Sequence, residues 1–195
     1  MSRDDTANGE GVRIPLKPQG ERTSRRRTPD EHLRVRFPGL FRRLAAAVQR
    51  LSPQSRLRRA LTARSIARAY AAANRGDFEL ILSGYDPATY EYHPSIDMLP
   101  PDMEPVFYGH DGYRKLWRYR TDAFEDIHWA PLEVLDLGDK ALVTAEQSGH
   151  GSGSGVAVSH QVFQLFTFRR GLVIRQQDFL DRAAALDAAH EPAGP

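Results

Sequence analysis

Residues 156–180 read VAVSHQVFQLFTFRRGLVIRQQDFL, and this stretch decides the fold class. Two runs rich in β-branched and aromatic residues, 156–168 and 172–180, flank Arg169-Arg170-Gly171, which is typical of a turn between antiparallel strands. Two more strands of the same meander are predicted upstream, at about 127–137 and 140–148. The C-terminal half of the chain therefore predicts an antiparallel sheet.

Helical periodicity dominates the sequence before this sheet. One apolar face is predicted from Leu40 to Leu51, and a second helix runs from Ser52-Pro53 to about Asn74. Its inward residues are predicted to be Leu57, Leu61, Ile66, Tyr70 and Ala73. A further helix follows Gly109, and a short strand with alternating residues covers 90–93. Helices first and an antiparallel sheet afterwards predict an α+β fold.

Charge divides the chain into a basic N-terminal part and an acidic remainder. Residues 1–60 carry 15 Lys and Arg against 6 Asp and Glu, a balance of +9, whereas the remaining residues carry −7. The first segment is polar and has no apolar periodicity, which favours disorder. The predicted organisation is a disordered basic arm at 1–36, an amphipathic helical extension at 37–60, a globular domain at 61–189 and a tail at 190–195.

Composition excludes several functional classes. The 195 residues contain no cysteine, so disulfides, thiolate nucleophiles and thiolate metal sites are absent. No apolar run is long enough for a spanning helix, and no secretory leader is evident, so a cytoplasmic location is expected. None of the seven histidines has metal-ligand spacing with another on a helix. We therefore expect no metal and no cofactor.

Three short signatures carry a resemblance to a known family. They are Ala69-Tyr70-Ala71-Ala72-Ala73-Asn74-Arg75-Gly76-Asp77-Phe78, Tyr108-Gly109-His110-Asp111-Gly112 and Asp178-Phe179-Leu180-Asp181-Arg182-Ala183-Ala184-Ala185-Leu186. Together with the order of elements, they resemble the SnoaL-like branch of the nuclear transport factor 2-like superfamily over about residues 60–189. That resemblance implies a cone, in which a curved antiparallel sheet wraps around three helices and leaves an apolar pocket. Ketosteroid isomerases and polyketide cyclases are members, as are proteins with no known reaction.

The resemblance implies two candidate catalytic residues. His93 falls where ketosteroid isomerases carry their carboxylate base, and histidine is a residue type that serves as a general acid or base. The oxyanion tyrosine of those enzymes falls on Ala69, and their neutral acid falls on Gln164. Asp178 falls at a pocket-facing position of the last strand, where a carboxylate would suit proton transfer. The alternatives are a hydrogen-bonded strand-end histidine for His93 and a helix cap for Asp178.

Further residues are candidates for binding a substrate. The two-residue period of a strand places His160, Gln164 and Phe166 on one face, which would be concave in a pocket or convex near a dimer interface. Tyr113 and Trp117 fall at positions that line the family's pocket. Tyr70 belongs to the same pool of aromatic residues, whose alternative role is plain core packing.

Three functional hypotheses follow. The first is a cofactor-independent acid/base enzyme (isomerase, cyclase or dehydratase type) that acts on an apolar, carbonyl-bearing ring compound, with His93 and Asp178 moving protons. The second is a non-catalytic module for ligand binding or dimerisation. In the third, the basic arm and the amphipathic helix tether the domain to a membrane or polyanion. A small apolar ligand and a second copy of the chain are the expected partners.

Overall fold

A curved, unclosed sheet of seven strands dominates the computed structural model, which describes residues 11–16 and 26–191. In chain order these strands are β1 (Val12–Pro15), β2 (Glu91–His93), β3 (Phe107–Tyr108), β4 (His128–Asp136), β5 (Lys140–His150), β6 (Ala157–Arg169) and β7 (Leu172–Phe179). Their order across the sheet is β1-β4-β5-β6-β7-β2-β3. All neighbours are antiparallel except β2 and β7, which are parallel. The predicted fold class is confirmed, with this one parallel pair added.

Six helices accompany the sheet in the described residues. They are α1 (Pro29–Arg36), α2 (Pro38–Gln49), α3 (Arg56–Asn74), α4 (Phe78–Leu82), α5 (Gly109–Ala123) and α6 (Arg182–His190). Side chains of α3, α4 and α5 share one core cluster with the concave face of the sheet. Helix α6 packs against the opposite face in a second, smaller cluster. The candidate site must therefore lie between α3, α5 and the concave face.

Alternation along β6 separates the two faces of the sheet. Val162 and Phe166 belong to the concave core, whereas Phe163 and Leu165 pack against α6 on the convex side. Successive side chains of a strand point to opposite faces, so even-numbered residues of β6 face the interior. The same rule carries across the register to Asp178, which pairs with Gln164.

The predicted disorder of residues 1–36 is wrong for the two segments that the structure describes. Val12 and Ile14 are buried, and their strand pairs with β4. Alternation over only four residues, in a polar context, is too short a signal to predict a strand from sequence. The helix α1 begins with Pro29 in its first turn, and Glu31 accepts a hydrogen bond from the Thr28 N–H at 2.8 Å. Residues 1–10, 17–25 and 192–195 lie outside the described residues.

The predicted boundary between residues 60 and 61 falls inside a continuous helix. Helix α3 begins after Ser55, whose hydroxyl accepts from the Arg58 N–H, three residues later than predicted. Arg58 is buried and forms an ion pair with Asp136 at 2.5 Å. The N-terminal helices are thus attached to the sheet.

Burial along α3 differs from the prediction near its start. Ile66, Tyr70 and Ala73 pack in the core as predicted, but Leu57 and Leu61 are exposed. Their inward orientation was therefore predicted wrongly. The N-terminal turns of α3 extend past the edge of the core. The helical spacing of apolar residues shows which face of a helix is apolar, but it does not show which turns of that face pack against the sheet.

A close backbone approach holds α2 against the turn between β6 and β7. Gly171 has φ +82°, and its N–H donates to the Gln49 side chain at 3.2 Å. A β-carbon at this position would collide with the backbone of Arg42 and Ala46. Only glycine fits both the backbone conformation and the space at this position.

Substituting Gly171→Ala should lower the free energy of unfolding by about 2–5 kcal/mol, because left-handed strain and overpacking add. Urea denaturation measures this loss. Gly138→Ala is the matched control: Gly138 has φ +95° and nothing within 4 Å of the added carbon. That control retains only the strain, about 1–2 kcal/mol. Equal losses in the two variants would contradict the proposed close packing of α2.

Candidate functional site

A cavity of about 630 Å³ lies between α3, α5 and the concave face of the sheet. Five of the six predicted substrate-binding residues line it, namely Tyr70, Tyr113, Trp117, Gln164 and Phe166. Trp129 and Tyr92 also contribute to its wall. A volume of this size fits a small organic molecule, and aromatic walls suit a flat apolar one.

The aromatic wall is built by helical spacing on α5. Tyr113 and Trp117 are four residues apart, so their rings lie on one face and stack with an interplanar angle of 8°. Phe78 contacts both rings edge-on, with centroids 6.4 and 5.6 Å away. Tyr92 stacks on the other side of Tyr113. These contacts hold the rings in place, which favours a preformed wall.

Asp178 is buried at the deep end of this site and is surrounded by hydrogen-bond donors. Its Oδ2 accepts from the Tyr92 hydroxyl at 2.5 Å and from Arg120 at 3.1 Å. Its Oδ1 accepts from the side-chain amides of Gln164 at 2.8 Å and Gln176 at 3.2 Å. The predicted interior position is correct, but the apolar surroundings predicted for it are not. Asp178 lies behind the cavity wall, with its side chain fully covered.

Arg120 is the functional candidate that the sequence analysis missed. It lines the cavity, and its guanidinium lies 5.3 Å from the centroid of the Tyr92 ring and 5.2 Å from that of Trp129. Burial opposes its charge, but Tyr92 and Asp178 outweigh that effect and raise the pKa of Arg120. The sequence did contain a signal for this position. Arg120 follows Tyr113 by seven residues and Trp117 by three, so helical spacing places it on the same face of α5.

Two glutamines link Asp178 to three tyrosines, of which Tyr70 and Tyr85 line the cavity. The Tyr70 hydroxyl donates to the Gln164 Oε1 at 2.5 Å, and the hydroxyls of Tyr85 and Tyr90 donate to Gln176 at 3.1 and 3.2 Å. Gln164, a predicted substrate-binding residue, therefore has its amide occupied at both ends. It positions Tyr70 and Asp178 instead.

Burial sets the protonation of the phenols. It is the largest influence on Tyr70, Tyr85, Tyr90 and Tyr92, and it raises the pKa of each well above the ordinary value of a phenol. The pKa of Tyr113 is raised for the same reason. These groups remain protonated across the physiological range, so they serve as hydrogen-bond donors.

His93 and Asp178 do not converge. Tyr92 faces Asp178 inside the cone, and neighbouring strand residues face opposite sides, so His93 points outward with Glu91. Its Nε2 lies 3.1 Å from the Glu91 carboxylate on that outer side. The structure therefore does not bring the two candidate catalytic residues together, and His93 is not among the residues that line the cavity. The alternative interpretation of His93, a strand-end histidine with a local hydrogen bond, matches the observed geometry.

His160 lies on the concave side of β6, but it is not among the residues that line the cavity. It pairs with Gln147 of β5, which in turn pairs with Trp129 of β4. Each of these three residues has a polar atom that is buried without a hydrogen-bond partner in the described part of the chain, namely Trp129 Nε1, Gln147 Oε1 and His160 Nε2. Burial lowers the pKa of His160, and the charge of Arg120 lowers it further. This row thus offers neutral, unpaired polar atoms beside the site.

The described residues contain no group of three or more His, Asp or Glu side chains that could hold a metal ion. Nor does any helix in that part of the chain have the length and apolar character needed to cross a membrane. The deep end of the site instead offers one cation, one buried carboxylate and several phenols. That set can bind and polarise an oxygen atom of an organic ligand and can exchange protons with it.

Residues 66–176 match the sequence profile of a family described as "SnoaL-like domain". No curated protein sequence matches the chain. Among solved structures, TerC co-crystallised with polyporic acid superposes with a TM-score of 0.54 and is 23% identical, covering 66% of this chain and 97% of TerC.

Two further solved structures show the same fold. An NTF2-like protein of unknown function from Burkholderia pseudomallei K96243 has a TM-score of 0.55 and 18% identity, covering 66% of this chain and 96% of that one. IdmH, a proposed polyketide cyclase from Streptomyces antibioticus, has a TM-score of 0.52 and 18% identity, covering 66% and 97%. At these identities the likeness shows the fold alone.

Proposed function

Because this chain belongs to the SnoaL-like domain family, we propose that it binds a small apolar ring compound through a carbonyl or enolic oxygen and moves a proton on that compound without a cofactor. The observation that carries this proposal is the position of Arg120. Its cationic group lies at the deep end of an aromatic-walled cavity, where it would meet a ligand oxygen. A guanidinium has five N–H donors, so one bond to Asp178 does not exhaust it.

Tyr92 is the proposed proton carrier. It lines the cavity, and its hydroxyl donates to Asp178 at 2.5 Å. As the Tyr92 oxygen takes a proton from a carbon beside the ligand carbonyl, its own proton would pass to Asp178. The negative charge then moves from the carboxylate to the ligand oxygen, where Arg120 stabilises it. Return of the proton to a different atom completes an isomerisation, or the first step of a cyclisation.

One observation favours a second candidate, a binding module without catalysis. Four donors saturate Asp178, and no part of its side chain is exposed. A carboxylate held in this way fixes the orientation of Arg120 and Tyr92, and binding needs nothing more. The two candidates differ in whether Asp178 accepts a proton during the reaction.

The test is hydrogen–deuterium exchange of 2-tetralone, a bicyclic ketone with acidic C–H groups, followed by NMR. If the chain is an acid/base enzyme, it should accelerate exchange above the buffer rate, and Tyr92→Phe should remove about 100-fold of that acceleration with little change in affinity. Tyr119→Phe, a half-buried phenol outside the network, is the matched control. Saturable binding without accelerated exchange would favour the module instead.

The unpaired row of Trp129, Gln147 and His160 is a proposed second contact for the ligand. Its atoms supply one indole donor, one amide acceptor and an imidazole nitrogen. Of these three residues only Trp129 lines the cavity, so a ligand hydroxyl would meet this row at the Trp129 indole. The cytoplasmic location and the homodimer remain predictions, and light scattering after gel filtration would test the dimer.

A further inference from the structure

The sequence between Glu31 and Asp77 contains eleven arginines and no acidic residue. This segment includes the last five residues of α1 and the whole of α2 and α3. Arg58 pairs with Asp136, Arg68 with Asp30, and Arg75 with Glu31 and Asp77. These pairs attach the helices to each other and to the domain.

Other arginines of the segment face solvent. Five are exposed and form no ion pair with any residue that the structure describes; they are Arg36, Arg42, Arg43, Arg50 and Arg56. Their concentration on α2 and its flanks creates a positive surface, although the whole chain carries only +2. Such a surface attracts an anionic partner.

Large apolar side chains are exposed on the same helices. Leu40 and Leu44, one turn apart on α2, are 56% and 52% exposed, and Leu57 and Leu61, one turn apart on α3, are 59% and 38% exposed. Phe37 is also exposed at the start of α2. Exposed leucines in such number mark an interaction surface, because water solvates them poorly.

The cavity opens at this surface. Leu44, Leu61 and Arg64 line the cavity and are exposed, whereas Tyr113 and Trp117 at its deep end are buried. We use the name mouth face for the exposed side chains of residues 36–50, which comprise α2 and its flanks, and of the first three turns of α3. Any ligand that reaches Arg120 through this opening must pass the mouth face.

We propose that the mouth face docks on the surface of an anionic lipid bilayer. The leucines would enter the boundary between headgroups and acyl chains, while the arginines bind lipid phosphates and carboxylates. An apolar compound dissolved in the bilayer would then enter the cavity without crossing water. This inference goes beyond the proposed function, since it concerns where the ligand is acquired rather than what happens to it.

The composition of the mouth face favours a bilayer over other occupants. A nucleic acid would engage the arginines but leave the leucines in water, because base stacking calls for aromatic rings. A second copy of the chain could cover the leucines but would bring two sets of unpaired arginines together. An anionic surface with an apolar layer beneath it satisfies both kinds of side chain.

Co-sedimentation with vesicles tests this proposal. The full-length chain should pellet with vesicles of phosphatidylcholine and phosphatidylserine in equal parts, and much less with phosphatidylcholine alone. Arg43→Gln together with Arg50→Gln should weaken binding about 30-fold, since each arginine near such a surface contributes about fivefold. Arg114→Gln with Arg118→Gln, on the exposed side of α5, removes the same charge and should change binding little.

The leucines have their own variant and control. Leu40→Gln with Leu57→Gln should weaken vesicle binding by at least about tenfold. Ile96→Gln with Val156→Gln replaces two apolar residues elsewhere that are at least as exposed and should leave binding unchanged. Circular dichroism would show that each variant is folded.

Four outcomes would overturn the proposal. The first is no sedimentation with anionic vesicles. The second is sedimentation that neither mouth-face variant weakens relative to its control. The third is tighter binding to a duplex DNA oligonucleotide than to the vesicles, which would assign the mouth face to a nucleic acid. The fourth is a dimer that the leucine variant dissociates, which would assign the mouth face to a second copy.

Discussion

Replacing Asp178 by leucine is expected to reduce the free energy of unfolding by about 3–5 kcal/mol, because the substitution leaves Arg120 as a buried charge without its partner. The side chains of Arg120 and Asp178 are 7% and 0% exposed, so water cannot readily replace the lost carboxylate. Tyr92 and Gln164 would also lose the acceptor of a hydrogen bond. Thermal or urea denaturation measures the loss.

A double variant distinguishes the pair from simple loss of packing. Arg120→Met combined with Asp178→Leu removes both charges, so it should be clearly more stable than Asp178→Leu alone. Asp178→Asn, which keeps the shape of the side chain, serves if the leucine variant does not fold. If Asp178→Leu, the double variant and the unmodified chain were equally stable, water in the cavity would be solvating Arg120, and the buried-pair account would fail.

Arg58→Ala is the second variant with a large expected effect, again about 3–5 kcal/mol of unfolding free energy. Arg58 donates to Asp136, to the backbone carbonyls of Gln49 and Leu51 at 2.6 and 2.7 Å, and to that of Gly138. One guanidinium therefore joins the end of α2, the start of α3 and the turn after β4. Its removal leaves Asp136 charged and buried.

The same variant should also expose the chain between α2 and α3 to protease, because two of the lost hydrogen bonds hold residues 49–51. Limited trypsin digestion followed by mass spectrometry would locate the new cleavage. Arg114→Ala is the control, since Arg114 forms an exposed i,i+3 pair with Asp111 and should change stability by less than about 0.5 kcal/mol. A similar loss in both variants would contradict the anchoring role of Arg58.

Much of the fold could be predicted because local patterns agreed with one another. The start of α5 and its inward face were both predicted, from Gly109 and from the spacing of Tyr113 and Trp117. The β6–β7 hairpin was predicted from the turn at Gly171. By contrast, β1 is four residues long, and its position depends on the free edge of β4. A partner so distant in sequence leaves no local signal.

The misplacement of His93 has a simple physical origin. A strand alternates, so Tyr90 and Tyr92 on one face require Glu91 and His93 on the other. That pattern was present in the sequence, but the resemblance to ketosteroid isomerases assigned His93 to the interior. Asp178 was placed correctly, whereas three of the four donors around it come from other elements (β2, α5 and β6) and could not be inferred from its neighbours in sequence.

The parallel pairing of β2 with β7 has a consequence for synthesis and folding. Tyr92 and Asp178 are 86 residues apart, and Arg120 and Asp178 are 58 apart. Contacts between such distant residues form late, because a long loop must close before they can stabilise anything. The pocket should therefore assemble only after β7 has been synthesised. Until β7 has joined the sheet, the nascent chain has the aromatic wall of the cavity but lacks Asp178, the partner of Arg120. Binding of the ligand would therefore indicate that β7 is in place.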